Sequence, residues 1–177
     1  IVDDNSTDGT IDLVKKLAYQ DSRIRLIRRL GRSGLASAIK EGLLDATGNI
    51  AIVMDSDGQH QPADVINALQ KLREGDLDVV AGSRFARQSE ILGLSNRRKE
   101  GSTLANYFSG ISLPSKYREL TDYMTGCFVM NLDRTMETIC KVDVNGFKFF
   151  YEMLAVSKGR LDVSEVPLTF QPRLHGK

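Results

Sequence analysis

Short apolar runs alternate with helical patterns from the start of this chain to Arg84, and this alternation restricts its fold more than any other feature. Strand-like runs are predicted at residues 1–2, 24–27, 50–53 and 78–82. The first three are each followed by a turn and an amphipathic segment, which is typical of βα units with helices on the faces of a parallel sheet. We therefore predict an α/β protein with a mostly parallel sheet flanked by helices.

Each predicted helix in this part of the chain has one apolar face that would pack on the sheet. The residues expected to point inward are Ile11, Val14, Leu17, Leu35, Ala38, Ile39, Leu43, Val65, Ile66, Leu69 and Leu72. Pro62 suits the first turn of a helix, where a missing N–H costs nothing.

The second half of the chain is less regular. Helices are predicted at residues 97–112 and 147–157, and strands at 126–131, 162–166 and 168–171. Pro167 favours an edge position for its strand, because proline cannot donate a ladder hydrogen bond. No linker is evident, so residues 1–177 are interpreted as one domain.

Two predicted helices carry faces that matter for packing. The faces consist of Leu104, Tyr107, Phe108 and Ile111 in the first helix and of Phe150, Met153 and Leu154 in the second. Burial in the core is the more common role of such faces, and contact with a membrane surface is the alternative for the first.

Composition excludes several broad classes. The formal net charge of +1 gives no global field for nucleic acid. Cys127 and Cys140 have no metal-binding spacing, which favours a reduced, cytosolic setting. No apolar run approaches the length of a membrane span.

Two carboxylates, Asp55 and Asp57, follow the apolar run that starts at Ile50. Ligands bind at the carboxyl ends of strands in open α/β sheets, so this position favours a functional site. Acids held this close repel each other unless a cation lies between them, and a divalent cation bound to a diphosphate suits that role. Gln59 adds a neutral oxygen ligand, whereas His60 is interpreted as a loop or packing residue rather than a ligand.

Other polar residues follow the remaining strands. Asp3 and Asp4 either accept hydrogen bonds from a nucleoside or cap the following turn. Arg84, at the end of the next strand, either binds phosphate or forms a surface ion pair. Asp122 is a site carboxylate or a cap, and Arg173 binds phosphate or belongs to a charged tail.

Several familiar signatures are missing from the sequence. There is no G-x-x-x-x-G-K-[ST] phosphate loop, no strand-borne G-x-G-x-x-G and no G-x-S-x-G nucleophile turn. Hydride transfer and serine hydrolysis therefore lose their usual sequence support.

Taken together, the polar segments resemble the GT-A glycosyltransferases of the large inverting family that includes dolichyl-phosphate mannosyltransferase. The matching segments are IVDDNSTDGT (1–10), MDSDGQHQP (54–62), GSR (82–84), TDYMTG (121–126), EVP (165–167) and FQPRLHG (170–176). The resemblance covers nearly the whole chain and implies the GT-A, Rossmann-like fold.

The resemblance also implies roles for individual residues. The nucleotide-sugar would be bound by Val2, Asp4, Asp55, Ser56, Asp57, Arg84 and Arg173. Mg²⁺ or Mn²⁺ would be held by Asp55, Asp57 and Gln59, and the acceptor phosphate by Arg98 and Arg173, with Arg97 as an alternative in register to Arg98. Asp57, Arg84 and Asp122 are expected to act most directly in catalysis.

The reaction implied is inverting transfer of a hexose, mannose from GDP-mannose, to dolichyl or polyprenyl phosphate at the cytoplasmic face of a membrane. The partners would be the nucleotide-sugar, the lipid phosphate and the membrane surface, and no nucleic acid. The nearest alternative is a UDP-glucose:polyprenyl-phosphate glucosyltransferase. Sugar-phosphate nucleotidyl transfer and a non-catalytic sugar- or lipid-binding module are the alternatives from other classes.

The chain departs from the family pattern in a few places. The family's first strand, with its P-x-Y-N-E contact, would precede Ile1, and the Ser-Lys pair that follows the last motif would lie beyond Lys177. The chain is therefore expected to be a fragment that lacks the first strand and the C-terminal tail. Ser56 and Gly58 replace residues that are more common in the family, without altering the expected metal ligands.

Overall fold

The computed structural model describes residues 1–86, 89–91, 109–144 and 148–170. Its helices are α1 (Thr10–Gln20), α2 (Leu35–Leu44), α3 (Pro62–Glu74), α4 (Leu132–Lys141) and α5 (Phe149–Ser157), with a 3₁₀ turn at Ser115–Tyr117. Its strands are β1 (Val2–Asp3), β2 (Ile27–Arg28), β3 (Ile50–Val53), β4 (Val79–Ser83), β5 (Glu90–Ile91), β6 (Phe128–Asn131), β7 (Val163–Pro167) and β8 (Thr169–Phe170).

The central sheet has the order β3-β6-β4-β7. Strand β6 runs antiparallel to both β3 and β4, while β4 and β7 are parallel. Two shorter parallel pairs, β1 with β2 and β5 with β8, complete the strands. The α/β class is as predicted, but the central sheet is mixed because β6 enters between two strands of the opposite direction.

The sheet is covered by helices on both faces, as its alternating burial requires. Val79 and Ala81 of β4 belong to a large core cluster that also contains the apolar sides of α2, α4 and α5. In this cluster the ring of Phe128 stacks on those of Phe149 and Phe150, at centroid distances of 6.1 and 5.4 Å. Val80 points to the other face, where it packs in a smaller cluster with residues of α3.

Three residues predicted to point inward are exposed. The side of α3 that packs on the sheet is formed by Asp64, Ala68 and Leu72, spaced one helical turn apart, so Ile66 lies on the opposite side and is 62% exposed. Leu35 is the first residue of α2 and is 50% exposed. Leu17 is 39% exposed, because α1 buries only a narrow stripe formed by Ile11 and Val14.

Several predicted boundaries shift by one to three residues. Helix α3 begins at Pro62 as predicted, while the run at 24–27 becomes the strand Ile27–Arg28 and the run at 126–131 becomes Phe128–Asn131. Pro167 lies in β7, which is the edge strand of the central sheet, so its predicted edge position is confirmed.

The second half of the chain is described in part. Of the helix predicted at 97–112, residues 109–112 are helical and the rest lies outside the described residues. Ile111 is 59% exposed, and Leu104, Tyr107 and Phe108 lie outside the described part. No helix within the described ranges is both long and apolar enough to cross a membrane. Cys127 and Cys140 are free thiols, and burial raises the pKa of Cys127 to about 12.

Candidate active site

The carboxyl ends of β3 and β4 lie at the same edge of the central sheet, since both strands run antiparallel to β6. The loop that carries Asp55 and Asp57 leaves β3 there, and Arg84 follows β4 directly. The segment that contains Asp122 enters β6 at the same edge. The fold thus brings together polar residues that the sequence places at three separate strand ends.

Asp55 is partly exposed, and burial and neighbouring charges shift the pKa of its carboxyl group. Burial raises the pKa of its carboxyl group, and the negative charge of Asp57 raises it further, while the charges of His60, Lys148 and Arg84 act in the opposite direction. Its Oδ2 atom lies 4.0 Å from Nε2 of His60. The mutual repulsion expected of these two acids is therefore present in the folded chain.

The loop after β3 is a tight turn. Oδ1 of Asp57 accepts a hydrogen bond from the backbone N–H of Gln59 at 3.1 Å, and Gly58 adopts a left-handed conformation with φ of 76°. His60 is buried, and burial lowers its pKa, while the charges of Asp55 and Asp57 raise it in part. This agrees with the interpretation of His60 as a packing residue.

Arg84 and Asp122 form a bidentate ion pair. Nε and Nη2 of Arg84 lie 2.7 and 2.9 Å from the two carboxylate oxygens of Asp122, and the backbone N–H of Arg84 donates to the same carboxylate at 3.2 Å. Asp122 is fully buried and the Arg84 side chain is 17% exposed. Burial works against the charged guanidinium, but its hydrogen bonds to Asp122 and the charge of that residue outweigh burial and raise its pKa. The surface ion pair considered for Arg84 is therefore a buried one.

Glu165 of β7 holds the segment on which Asp122 lies. Its carboxylate accepts hydrogen bonds from the backbone N–H groups of Thr121 and Asp122 and from the Thr121 hydroxyl, at 2.8–2.9 Å. Burial raises the pKa of Glu165, and these hydrogen bonds lower it in part. A second carboxylate, that of Glu165, thus holds in place the backbone segment that carries the ion-pair partner of Arg84.

Asp3 and Asp4 have different partners at the end of β1. The carboxylate of Asp3 accepts hydrogen bonds from the backbone N–H and hydroxyl of Ser6, as a turn cap does. Asp4 instead accepts from the backbone N–H of Gly34 at 2.9 Å and pairs with Nη1 of Arg29 at 2.9 Å. Arg29, at 1% exposure, is one of the most buried residues of the chain.

A groove of about 710 Å³ extends from the start of β1 to the loop after β3, and Asp3 and Asp4 are not among the residues that line it. Apolar residues of α2, β1 and β3 line most of it, and Asp55, Ser56 and Asp57 line its polar end. Val2 lines the same groove. Two parts of the predicted donor site, far apart in sequence, therefore face one cavity.

The donor set at the polar end is sparse in acids. Within residues 1–86, 89–91, 109–144 and 148–170, no group of three or more His, Cys, Asp or Glu side chains could hold a metal ion. A cation here would need Asp55 and Asp57 together with further oxygen ligands, such as the neutral oxygens of the Gln59 amide and of water or the charged oxygens of phosphate. Such hard oxygen donors are the kind that Mg²⁺ and Mn²⁺ accept.

Sequence reasoning missed some residues and named others that lie beyond the described part. Lys148, whose charge acts on Asp55, belongs to no motif, and the buried Arg29 lies in a basic stretch that carries no motif either. Glu165 was noted in a motif without a role. Arg97, Arg98 and Arg173 lie outside the described residues, so their predicted phosphate contacts stay predictions.

Residues 1–136 match the model of glycosyl transferase family 2, and the chain belongs to that family. Among curated relatives, it is 33% identical over its whole length to a dolichol-phosphate mannosyltransferase of Pyrococcus furiosus, covering 49% of that protein. It is also 32% identical over 99% of its length to the dolichol-phosphate mannosyltransferase of Saccharomyces cerevisiae, covering 66% of it. The chain thus spans about half to two thirds of the length of these relatives.

Solved structures give the same fold. One neighbour is glucosyl-3-phosphoglycerate synthase from Mycobacterium tuberculosis with phosphoglyceric acid, with a TM-score of 0.66 at 18% identity over 99% of this chain and 60% of that one. Another is a mannosyltransferase from Pyrobaculum calidifontis with GDP-Man and Mn²⁺, with a TM-score of 0.63 at 17% identity, covering 99% of this chain and 47% of that one. The predicted GT-A fold class is confirmed.

Proposed function

We propose that residues 1–177 form the catalytic domain of a metal-dependent, inverting glycosyltransferase that transfers mannose from GDP-mannose to dolichyl or polyprenyl phosphate. The observation that carries this proposal is the pair Asp55–Asp57, which lies at a sheet edge and lines a groove of about 710 Å³. The names of the curated relatives support the acceptor and the sugar.

The residues at this edge suit a divalent cation. Asp55, Asp57 and Gln59 would hold Mg²⁺ or Mn²⁺, and the positive charge would offset the burial and the neighbouring charge of Asp57, which raise the pKa of Asp55. When bound, the cation neutralises the charge that develops on the leaving diphosphate. Donor phosphates would complete the set of oxygen ligands that the protein leaves short.

The chemistry requires no strong base from the protein. A phosphate monoester already carries an ionised oxygen at neutral pH, and this oxygen attacks the anomeric carbon of the sugar. The bond from that carbon to the nucleoside diphosphate breaks on the opposite face, the electron pair leaves with the diphosphate, and configuration inverts. The lowered pKa of His60 is compatible with such a site, because the proposed reaction needs no proton transfer to His60.

Arg84 would contribute a guanidinium hydrogen-bond donor in a fixed orientation more than it would contribute net positive charge. Asp122 neutralises much of its charge and fixes its guanidinium at the end of β4. A donor group held in place before the reaction stabilises developing charge without reorganising. Arg84 is therefore assigned to the donor phosphates, with Asp122 setting its position, and Arg98 and Arg173 are assigned to the acceptor phosphate.

For binding of the donor, the support is that Val2, Asp55, Ser56 and Asp57 line one groove. Val2 and Asp4 would contact the nucleoside, Asp55, Ser56 and Asp57 the diphosphate and sugar. The lipid acceptor implies that the protein works at a membrane surface, on its cytoplasmic face. Flotation with anionic vesicles tests this, and failure of the full-length protein to bind them would contradict it.

Nucleotide binding separates the proposal from its alternatives. We expect calorimetry to show binding of GDP that strengthens when Mn²⁺ is added, with UDP weaker. A preference for UDP would favour the glucosyltransferase alternative, which gains support from the UDP-glucose complex of a structural neighbour. Absence of metal-dependent binding to either nucleotide would favour a non-catalytic module.

The Asp57→Ala variant tests the metal site directly. We expect this change to abolish sugar transfer by the full-length protein and Mn²⁺-dependent nucleotide binding, because the cation loses a charged ligand. Asp12→Ala is a matched control, since Asp12 is an exposed aspartate on α1 that pairs with Lys15. Turnover near the normal rate in Asp57→Ala would contradict the assignment.

A further inference from the structure

Gly126 lies against the carboxylate of Asp55. A Cβ atom placed on Gly126 would be 2.2 Å from Oδ2, 2.6 Å from Cγ and 2.9 Å from Oδ1 of Asp55. These are its three nearest heavy atoms, and all belong to one carboxylate group. Contacts this short lie far inside van der Waals distance, so any side chain at position 126 would displace Asp55 or the backbone beneath it.

Space, rather than backbone conformation, is what requires glycine here. Gly126 is not among the glycines with positive φ, so other residues can adopt its backbone conformation. A shift of the backbone could in principle make room for a side chain at position 126. Hydrogen bonds made by the residues on both sides of Gly126 oppose such a shift. The Thr125 hydroxyl donates to the carbonyl of Gly82 at 2.6 Å, and the backbone N–H of Gly82 donates to the carbonyl of Cys127 at 2.8 Å.

We propose that Gly126 is a positioning residue, whose bare backbone forms the seat on which the Asp55 carboxylate rests. The seat belongs to the segment that enters β6, while Asp55 belongs to the loop after β3. It therefore limits where the Asp55 carboxylate can lie through a contact between two elements rather than within the loop. The consequence for metal binding rests on the proposed function, whereas the contact itself does not.

A mutant cycle on thermal stability tests the contact. Gly126→Ala in the chain should lower the melting temperature by roughly 3–10 °C, the range expected for overpacking in a domain of this size. In an Asp55→Ala background the same change should have little effect, because the atoms that it meets are gone. In an Asp55→Asn background, where those atoms remain without the charge, the full decrease should return.

The three backgrounds separate a steric contact from other causes. An equal decrease in all of them would overturn the proposal, since the cost would then come from another neighbour. A decrease that is lost in Asp55→Asn as well as in Asp55→Ala would also overturn it, because charge rather than space would be responsible. Gly48→Ala is the matched control, as its added Cβ meets only the Ile50 carbonyl, at 3.6 Å.

Metal binding tests the functional consequence. Gly126→Ala should weaken Mn²⁺ binding, measured with GDP present, by about 10- to 100-fold, as loss of support around a metal ligand does elsewhere. Gly48→Ala should bind as the unaltered chain does. Unchanged affinity in Gly126→Ala would overturn the positioning role. If the unaltered chain binds no Mn²⁺, the proposed function fails, and the stability cycle still decides whether Gly126 seats Asp55.

Discussion

Asp55 and Asp122 lie at the same edge of one sheet, yet the protein surrounds them differently. Asp122 is fully buried and receives two hydrogen bonds from the guanidinium of Arg84. Asp55 is partly exposed, has His60 at 4.0 Å, and has a raised pKa because of burial and the neighbouring charge of Asp57. The fold supplies a close countercharge to one aspartate and a second negative charge to the other.

This difference is the one expected between a structural carboxylate and the ligand-binding carboxylate proposed here. A buried charge that is paired within the protein holds the fold together, and removing its partner is costly. A carboxylate kept beside a like charge lowers the stability of the fold and is expected where a ligand supplies the compensation. Mutation of the first kind of residue should mainly lower the stability of the fold, whereas mutation of the second kind should mainly weaken ligand binding.

The largest effect is expected from Asp122→Ala. This change removes the carboxylate that binds the guanidinium of Arg84 in a place where the side chain is 17% exposed, and should lower the free energy of unfolding by about 3–5 kcal/mol. Urea denaturation measures this change. The double variant Arg84→Met with Asp122→Ala should recover part of the loss, because no buried charge is then unpaired. Equal stability of Asp122→Ala and Asp55→Ala would remove the distinction drawn between the two residues.

A smaller effect is expected from Glu165→Gln. Glutamine keeps one acceptor oxygen for the backbone N–H groups of Thr121 and Asp122, where the carboxylate offers two. The free energy of unfolding should fall by about 1–3 kcal/mol, less than in Asp122→Ala. A loss as large as that of Asp122→Ala would mean that Glu165, rather than Arg84, is the main support of Asp122.

The smallest effect, of opposite sign, is expected from Asp55→Asn without divalent cations. Because the pKa of Asp55 is raised in the folded chain, its ionisation costs stability as the pH rises through that pKa. Asparagine avoids this cost, so the variant should melt at a higher temperature at pH 7, and the difference should shrink as the pH falls toward the ordinary aspartate value of 3.8. Melting curves across this pH range provide the measurement, and a less stable variant at pH 7 would contradict the prediction.

Local patterns in the sequence were sufficient to predict the strands and the acids that follow them. The apolar run before Asp55 and the strand before Arg84 can both be recognised from the local sequence pattern. Both end at the edge of the sheet where ligands are expected to bind. The prediction was wrong where the buried face of a helix had to be chosen from spacing alone. Ile66 fits a helical stripe by spacing, but the face that contacts the sheet is set by Ala68 and Leu72.

Contacts between distant segments could not be predicted in the same way. The pairing of Arg84 with Asp122 and the seat of Asp55 on Gly126 both depend on β6 lying between β3 and β4. No periodicity in the sequence reports the order of strands in a sheet. The burial of Arg29 escaped prediction for a related reason, since its partner Asp4 belongs to another strand end.

The position of β6 also orders events during folding. In the part of the chain that the structure describes, β3 and β4 are joined through β6, where Ile50 pairs with Asn131. The central sheet therefore cannot close until the chain has been made far beyond both acids of the β3 loop. Closing such a long loop costs entropy before any contact repays it, which makes this step slow. On a ribosome, the β3 loop emerges well before Gly126, and Asp55 acquires its seat only when the later strand docks. The edge that carries Asp55 is therefore complete only after β6 has docked.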